Sequence, residues 1–354
     1  MFVALRDIRF ARGRFALMGT VVALITTLVV FLYGLTGGLA REASSAVAAL
    51  PADRIVFGAP AGAEPEVSFA NSTLDERQGD AWRRAPGVAS AEPLGVAMAR
   101  LTAHGTATSV SVLGTAARLR PALLTGSAPD DAGVAVSERL AREKGLRVGD
   151  RVTLGTVELT VSGVTPDRGY GHAPTVWTTL AAWGRAAHQQ QPTALAVRGG
   201  GGPTGAVART TRAVALDDAL DGIDGYAAEH GTLQLVQGFL FVVSALVVGA
   251  FFTVWTVQRR PDVAVLKAVG ASSGYLLRDA LGQAAAVLAA GAVLGGAAGV
   301  AGGALASRAV PFELGAETVA VPVAAMVLLG LAGSALAVRR ITSVDPLTAL
   351  GASR

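Results

Sequence analysis

Four long runs without a charged residue constrain this 354-residue chain more than any other feature. They cover residues 15–40, 231–258, 280–307 and 318–338. About 20 apolar residues are enough for a helix to cross a bilayer, and each run reaches that length. The first run is well beyond the 7–15 apolar residues of a signal peptide, so we interpret it as a retained helix. The pattern predicts four transmembrane helices.

The composition supports a membrane protein and excludes several kinds of site. Hydrophobic residues make up 51% of the chain and charged residues only 16%, whereas soluble domains carry about 25% charged residues. The chain has no cysteine. Disulfides, thiolate zinc sites, iron–sulfur clusters and cysteine nucleophiles are therefore excluded.

The distribution of charge predicts how the chain is oriented in the membrane. Segments 1–14, 259–279 and 339–354 together hold 11 basic and 4 acidic residues. The loop 308–317 and the long segment 41–230 are both slightly acidic. By the positive-inside rule, both termini and the 259–279 segment are predicted to be cytoplasmic. The net charge of +4 then reflects membrane topology, and we expect no nucleic-acid partner.

The segment 41–230 is predicted to be one large extracytoplasmic α+β domain between the first two membrane helices. Gly145 ends a predicted short helix at 137–144. Short apolar runs bounded by turn residues predict strands at 54–57, 96–103, 106–113, 152–154, 157–164, 174–177 and 194–197.

No motif for catalysis is found in the sequence. The four histidines are scattered without an H-E-x-x-H arrangement, and neither G-x-S-x-G nor a G-x-x-x-x-G-K-[ST] phosphate loop occurs. We therefore expect no enzymatic activity, no catalytic or metal-binding residues and no intrinsic cofactor. Three overlapping GxxxG matches in the third apolar run predict close helix packing instead; they are formed by Gly291, Gly295, Gly299 and Gly303.

Two cytoplasmic segments carry a resemblance to a known family. Residues 258–272 read Q-R-R-P-D-V-A-V-L-K-A-V-G-A-S, the pattern of a short amphipathic helix ending at Gly270. Residues 340–350 read R-I-T-S-V-D-P-L-T-A-L. Both segments, together with the layout of one span, a large outer domain and three spans, resemble MacB/FtsX-type ABC transporter permeases.

The resemblance implies a homodimeric or pseudo-dimeric permease that works with two copies of a separate ATPase, which binds the ATP. Segment 259–279 would be the coupling element, and its contacts with the ATPase would be made by Arg259, Arg260, Asp262 and Lys267. Segment 1–14 would be an amphipathic helix on the inner face of a bacterial cell membrane, and 339–354 a cytoplasmic tail. Movement of the ATPases would reach the outer domain through the spans.

Within that family, the compact size and the run at 251–259 most resemble the haem-efflux (HrtB-like) and DevC-like branch. The resemblance implies haem as the substrate. Because a porphyrin partitions into the bilayer, its site is expected at the outer ends of the first two spans. The side chains there that are able to bind iron, and are therefore the candidate haem ligands, are Glu42, Tyr226, Glu229 and His230. His172 is a second candidate, and ordinary interfacial roles for all of them are the alternative.

Two other functions remain open for a chain of this layout. One is export of a lipid, a glycolipid or an antimicrobial peptide. The other is an FtsX-like regulator that transmits ATPase motion to a cell-wall hydrolase. The outer domain is shorter than that of exporters with a periplasmic adaptor, which argues against an adaptor partner.

Overall fold

The computed structural model describes residues 12–60, 62–258, 265 and 269–342. They fall into two compact units, one spanning 39–231 and the other formed by the described parts of 1–38 and 232–354. The helices are α1 (Arg12–Ala48), α2 (Glu76–Arg84), α3 (Glu138–Lys144), α4 (Leu180–Ala187), α5 (Ala206–Thr210), α6 (Tyr226–Gln258), α7 (Ser273–Ala306) and α8 (Ala316–Thr342). The strands are β1 (Arg54–Phe57), β2 (Ser90–Ala103), β3 (Thr106–Thr115), β4 (Thr125–Gly126), β5 (Gly133–Ser137), β6 (Arg151–Leu154), β7 (Val157–Thr165), β8 (Gly169–Tyr170), β9 (Ala173–Thr178), β10 (Ala194–Arg198) and β11 (Arg212–Ala215).

Four helices, α1, α6, α7 and α8, are long and apolar enough to cross a membrane. All of the described strands lie between the first and second of these helices, in the unit spanning 39–231. The structure therefore confirms the predicted fold class of four transmembrane helices with one inserted α+β domain.

The helices extend beyond the apolar runs that predicted them. Helix α1 continues past residue 40 to Ala48, and α6 begins at Tyr226 instead of 231. Counting uncharged residues finds only the part of a helix that suits lipid, whereas the ends of these helices are stabilised by protein contacts. Ala46 and Val47 of α1, for example, are buried in the core of the α+β domain. Helix α7 likewise begins at Ser273, where the Ser272 hydroxyl caps it.

One large mixed sheet organises the α+β domain. Its strand order is β11-β1-β10-β2-β3-β9-β5-β7-β4, with β6 beside β2 and β7, and β8 beside β9. Most pairs are antiparallel, but β3 with β9 and β5 with β7 are parallel. The predicted strands are confirmed, as is the short helix at 138–144, which the Ser137 side chain caps and Gly145 ends in a left-handed conformation.

Trp183 of α4 fixes that helix against the middle of the sheet. Its indole is buried against β2 and β3, where Gly95 and Gly114 leave the necessary space. A Cβ at either glycine would lie within 2.4 Å of the Trp183 side chain. Since real carbon atoms do not approach so closely, both positions require glycine for this packing.

Three of the predicted segments lie partly outside the described residues. The N-terminal helix predicted at 1–14 is described only from Arg12, where α1 begins. The tail is described only to Thr342. The predicted coupling residues Arg259, Arg260, Asp262 and Lys267 also lie outside the described part of the chain.

Candidate functional site

The predicted site residues lie on the two helices that enter and leave the α+β domain. Glu42 is near the C-terminal end of α1, and Tyr226, Glu229 and His230 occupy the first two turns of α6. All four side chains are partly buried. Tyr226, Glu229 and His230 were expected to lie before the second membrane helix. They belong to that helix, α6, because it continues through the polar residues that precede the apolar run.

Glu42 forms an ion pair inside the domain. Its carboxylate lies 2.6 Å from Nη1 of Arg139, in the first turn of α3. The backbone N–H of Arg139 donates a hydrogen bond to the Asp167 carboxylate at 2.5 Å. Arg139 was not among the predicted site residues, since nothing in the local sequence links it to a position 97 residues earlier.

Glu229 contacts a histidine of the domain. Its carboxylate Oε2 lies 2.8 Å from Nε2 of His172, and both side chains are about 40% exposed. His172 lies in the turn between β8 and β9, where it adopts a left-handed conformation with φ of 61° directly after Gly171. The second candidate from the sequence therefore contacts one member of the first set.

Tyr226 and His230 are stacked on the surface of α6. Their ring centroids are 5.4 Å apart and the rings are nearly parallel, at 7°. The two residues are four positions apart in the chain (i, i+4), which places both side chains on one face of the helix. A phenol and an imidazole are both ligands that haem iron accepts.

One hairpin connects these helix ends. The β8–β9 hairpin comprises residues 168–173. Its turn carries His172, and its backbone binds the end of α1. The N–H of Gly169 donates to the Ser45 hydroxyl at 2.9 Å, and the N–H of Gly171 donates to the Ala43 carbonyl at 2.9 Å. Glu42 and Glu229 are thus held by the same part of the domain.

Tyr170, at the centre of this hairpin, is a buried residue that sequence reasoning missed. Its ring packs edge-on against Phe69 at 5.8 Å. Burial raises the pKa of the Tyr170 phenol well above its usual range, and the negative charge of Asp224 raises it further. The side chain is therefore a neutral core residue at physiological pH.

The described residues hold no cluster of three or more histidine or carboxylate side chains arranged to bind a metal ion. Two of the four predicted side chains are carboxylates held by Arg139 and His172, and the other two form an aromatic pair. The arrangement provides iron ligands of the right chemical type without enclosing a complete metal site.

In the membrane unit, three of the four predicted packing glycines of α7 face α1. A Cβ at Gly291 would lie 2.9 Å from the Gly19 carbonyl oxygen, and one at Gly295 would lie 2.3 Å from the Ala23 carbonyl oxygen. Gly299 faces Val30, whereas Gly303 faces the ring of Phe312. Helices α1 and α7 therefore pack backbone to backbone along this stripe.

An apolar groove opens beside the glycine stripe, between the same two helices. Its volume is about 800 Å³, within the range of roughly 300–1,000 Å³ that is typical of small-molecule pockets. Thr20, Leu24, Ala290 and Leu294 are among the residues that line it. Its lining suits a hydrophobic ligand or a lipid chain.

Two family models match this chain. The model described as MacB-like periplasmic core domain matches residues 15–226, and the one described as FtsX-like permease C-terminal matches 235–346. Together they account for all four apolar helices and for the α+β domain.

Relatives match over nearly the whole length. A protein of Staphylococcus haemolyticus, described as a putative hemin transport system permease protein HrtB, is 28% identical over 99% of both chains. An uncharacterized ABC transporter permease of Mycobacterium tuberculosis is also 28% identical over 99% of both chains. Among solved structures, the periplasmic region of MacB from Actinobacillus actinomycetemcomitans covers 49% of this chain and 94% of its own, with 11% identity and a TM-score of 0.37.

Proposed function

Because this chain belongs to the MacB/FtsX-type family of ABC transporter permeases, we propose that it is the membrane subunit of an exporter that removes haem from the membrane. As a permease of an ABC transporter, it is a multi-pass membrane protein that works with an ATPase subunit. Haem as the substrate is the part of the proposal that requires a test.

The observation that carries the haem proposal is the stacked pair of Tyr226 and His230 at the start of α6. The pair lies in the first turns of the candidate span Tyr226–Trp255, so a porphyrin leaving the lipid would meet an imidazole and a phenol there. The HrtB description of the staphylococcal relative supports the same substrate.

The two carboxylates have a different part in this proposal. Glu42 is paired with Arg139 and Glu229 with His172. A carboxylate that already contacts a protein side chain is a weaker iron ligand than one that is available, because that contact must first be broken. We therefore assign substrate contact first to Tyr226 and His230, and assign Glu42 and Glu229 to positioning the helices that carry the site.

The proposed orientation places both termini and the 259–279 segment in the cytoplasm of a bacterial cell. There Arg259, Arg260, Asp262 and Lys267 would contact the ATPase, and ATP-driven movement of the spans would reach the outer domain. The proposal includes two copies of each subunit.

Haem titration of the purified permease in nanodiscs tests this proposal. We expect a stoichiometric complex with a shifted Soret band, and loss of that shift in Tyr226→Ala or His230→Ala. Glu42→Gln and Glu229→Gln should bind haem with the wild-type spectrum. His104→Gly is the matched control, since His104 lies in the exposed turn between β2 and β3.

A spectrum identical to that of haem in empty nanodiscs would contradict haem as the substrate. The permease assignment would stand, and export of a lipid or peptide, or regulation of a cell-wall hydrolase, would then be the functions to test.

A further inference from the structure

The β8–β9 hairpin contacts both helices through which the α+β domain continues into the membrane spans. We propose that this hairpin transmits movement of α1 and α6 to the sheet, with His172 and Glu229 as positioning residues. The inference rests on the proposed function in one respect, the ATP-driven movement of the spans, and is independent of the cargo.

The first step is the attachment of the hairpin to α1. Besides the two hydrogen bonds from Gly169 and Gly171, the Arg168 guanidinium donates to the Ser45 carbonyl at 3.3 Å. Gly169 also approaches Glu42 so closely that a Cβ would lie 1.8 Å from the Glu42 carbonyl oxygen. The hairpin backbone therefore lies directly on the backbone of α1.

The second step is the attachment to α6. His172 extends from the turn of the hairpin to Glu229, which lies in the first turn of α6. This contact joins side chains only, so it can be removed without changing the backbone. Glycine adopts the left-handed conformation of residue 172 readily.

The third step is the attachment of the hairpin to the centre of the sheet. Strand β9 pairs with β3 on one side and with β5 on the other. The Ser111 hydroxyl of β3 donates to the Tyr170 carbonyl at 2.7 Å, and the Thr175 hydroxyl donates to the Arg168 carbonyl at 3.1 Å. The hairpin thus gives a displacement of either helix end a hydrogen-bonded route to the middle strands, in addition to the packing of Ala46 and Val47 against the domain core.

The absence of native cysteine allows a direct test on the complete permease–ATPase complex in nanodiscs. Spin labels on Arg151→Cys in the domain and Arg308→Cys after α7 report the intrachain distance between the two units. We expect this distance distribution to change when ATP and vanadate are added. His172→Gly should abolish the change or reduce it at least twofold, while ATP hydrolysis continues.

His104→Gly is the matched control, because His104 is also a left-handed histidine in a hairpin turn, with φ of 49°. It should keep the full nucleotide-dependent change. His172→Asn, which tolerates the same backbone and offers an N–H donor, should restore at least part of it. Thermal unfolding of the three variants should agree with wild type, so that a general structural defect is excluded.

A His172→Gly complex with the wild-type distance change would overturn the assignment of the hairpin. If the wild-type complex hydrolyses ATP and the distance between the labels at residues 151 and 308 does not change, the proposal that movement of the spans reaches the domain is overturned as well. Failure to bind haem would affect neither result, so the cargo proposal and the coupling proposal fail separately.

Discussion

The hydroxyl of Thr27 lies 2.8 Å from the carbonyl oxygen of Ala23 in its own helix and 3.0 Å from that of Gly295 in α7. One donor is therefore shared between two transmembrane helices. The contact is possible because Gly295 has no side chain to separate the backbones. Close packing of α1 with α7 thus depends on a few small residues, which makes it sensitive to single methyl groups.

Gly295→Ala should destabilise the membrane unit. The new Cβ would lie 2.3 Å from the Ala23 carbonyl oxygen, so the helices must separate. We expect a loss of about 1–3 kcal/mol, as in other overpacked sites. Thermal unfolding in detergent measures the effect. Gly282→Ala on the same helix is the control, because no atom lies within 4 Å of its Cβ position and stability should be equal or slightly higher. Equal stability of the two variants would contradict the packing argument.

Gly114→Ala should destabilise the α+β domain by at least about 2 kcal/mol. The added methyl group would lie 2.3 Å from the Trp183 Cβ, which forces α4 away from the sheet. Denaturant unfolding of the full chain, followed by tryptophan fluorescence, reports the change. Gly105→Asn serves as the comparison, since that turn position is open and asparagine tolerates a positive φ. A Gly114→Ala variant as stable as Gly105→Asn would show that α4 shifts without cost.

Glu42 and Arg139 should show a modest coupling energy in a double-mutant cycle. The pair is short, at 2.6 Å, but the Arg139 side chain is 38% exposed, so solvent screens the attraction. We expect about 0.5–1 kcal/mol between Glu42→Gln and Arg139→Gln, measured by chemical denaturation. The coupling should decrease at high salt. A coupling of zero at low salt would mean that the pair does not hold α1 to α3.

Tyr170 should make the domain sensitive to alkaline pH. Burial raises the pKa of the phenol above the value of about 10 that it has in the unfolded chain. Its contribution to stability is therefore complete below pH 10 and is lost as the pH rises towards the folded-state pKa. Unfolding free energies measured from pH 8 to 11 should fall more steeply for wild type than for Tyr170→Phe. Parallel curves would contradict burial of the neutral phenol.

The sequence predicted the membrane spans well because a bilayer demands long apolar helices whatever the tertiary structure. The strands predicted at 54–57 and 106–113 could be found for a similar reason, since turn residues bound short apolar runs. The MacB/FtsX resemblance, which the two family models confirm, likewise rested on short continuous segments of the sequence. Each of these features is encoded within a few dozen consecutive residues.

The contacts of the candidate site could not be predicted in that way. Glu42 and Arg139 are 97 residues apart, and His172 and Glu229 are 57 apart. Both pairs join elements that are distant in the chain, and the topology that brings such elements together, such as the parallel placement of β9 beside β3, is not determined by the alternation of apolar and polar residues. His172 was recognised as a candidate from its residue type, but its partner follows only from the tertiary structure.

Helix α1 runs without interruption for 37 residues, which corresponds to about 55 Å at 1.5 Å per residue. The hydrocarbon core of a bilayer is only about 30 Å thick. Helix α1 is therefore nearly twice as long as the hydrocarbon core is thick, and Ala46 and Val47 in its last turn are buried in the core of the α+β domain. One uninterrupted helix thus supplies both an apolar run of membrane length and a part of the packing of the domain.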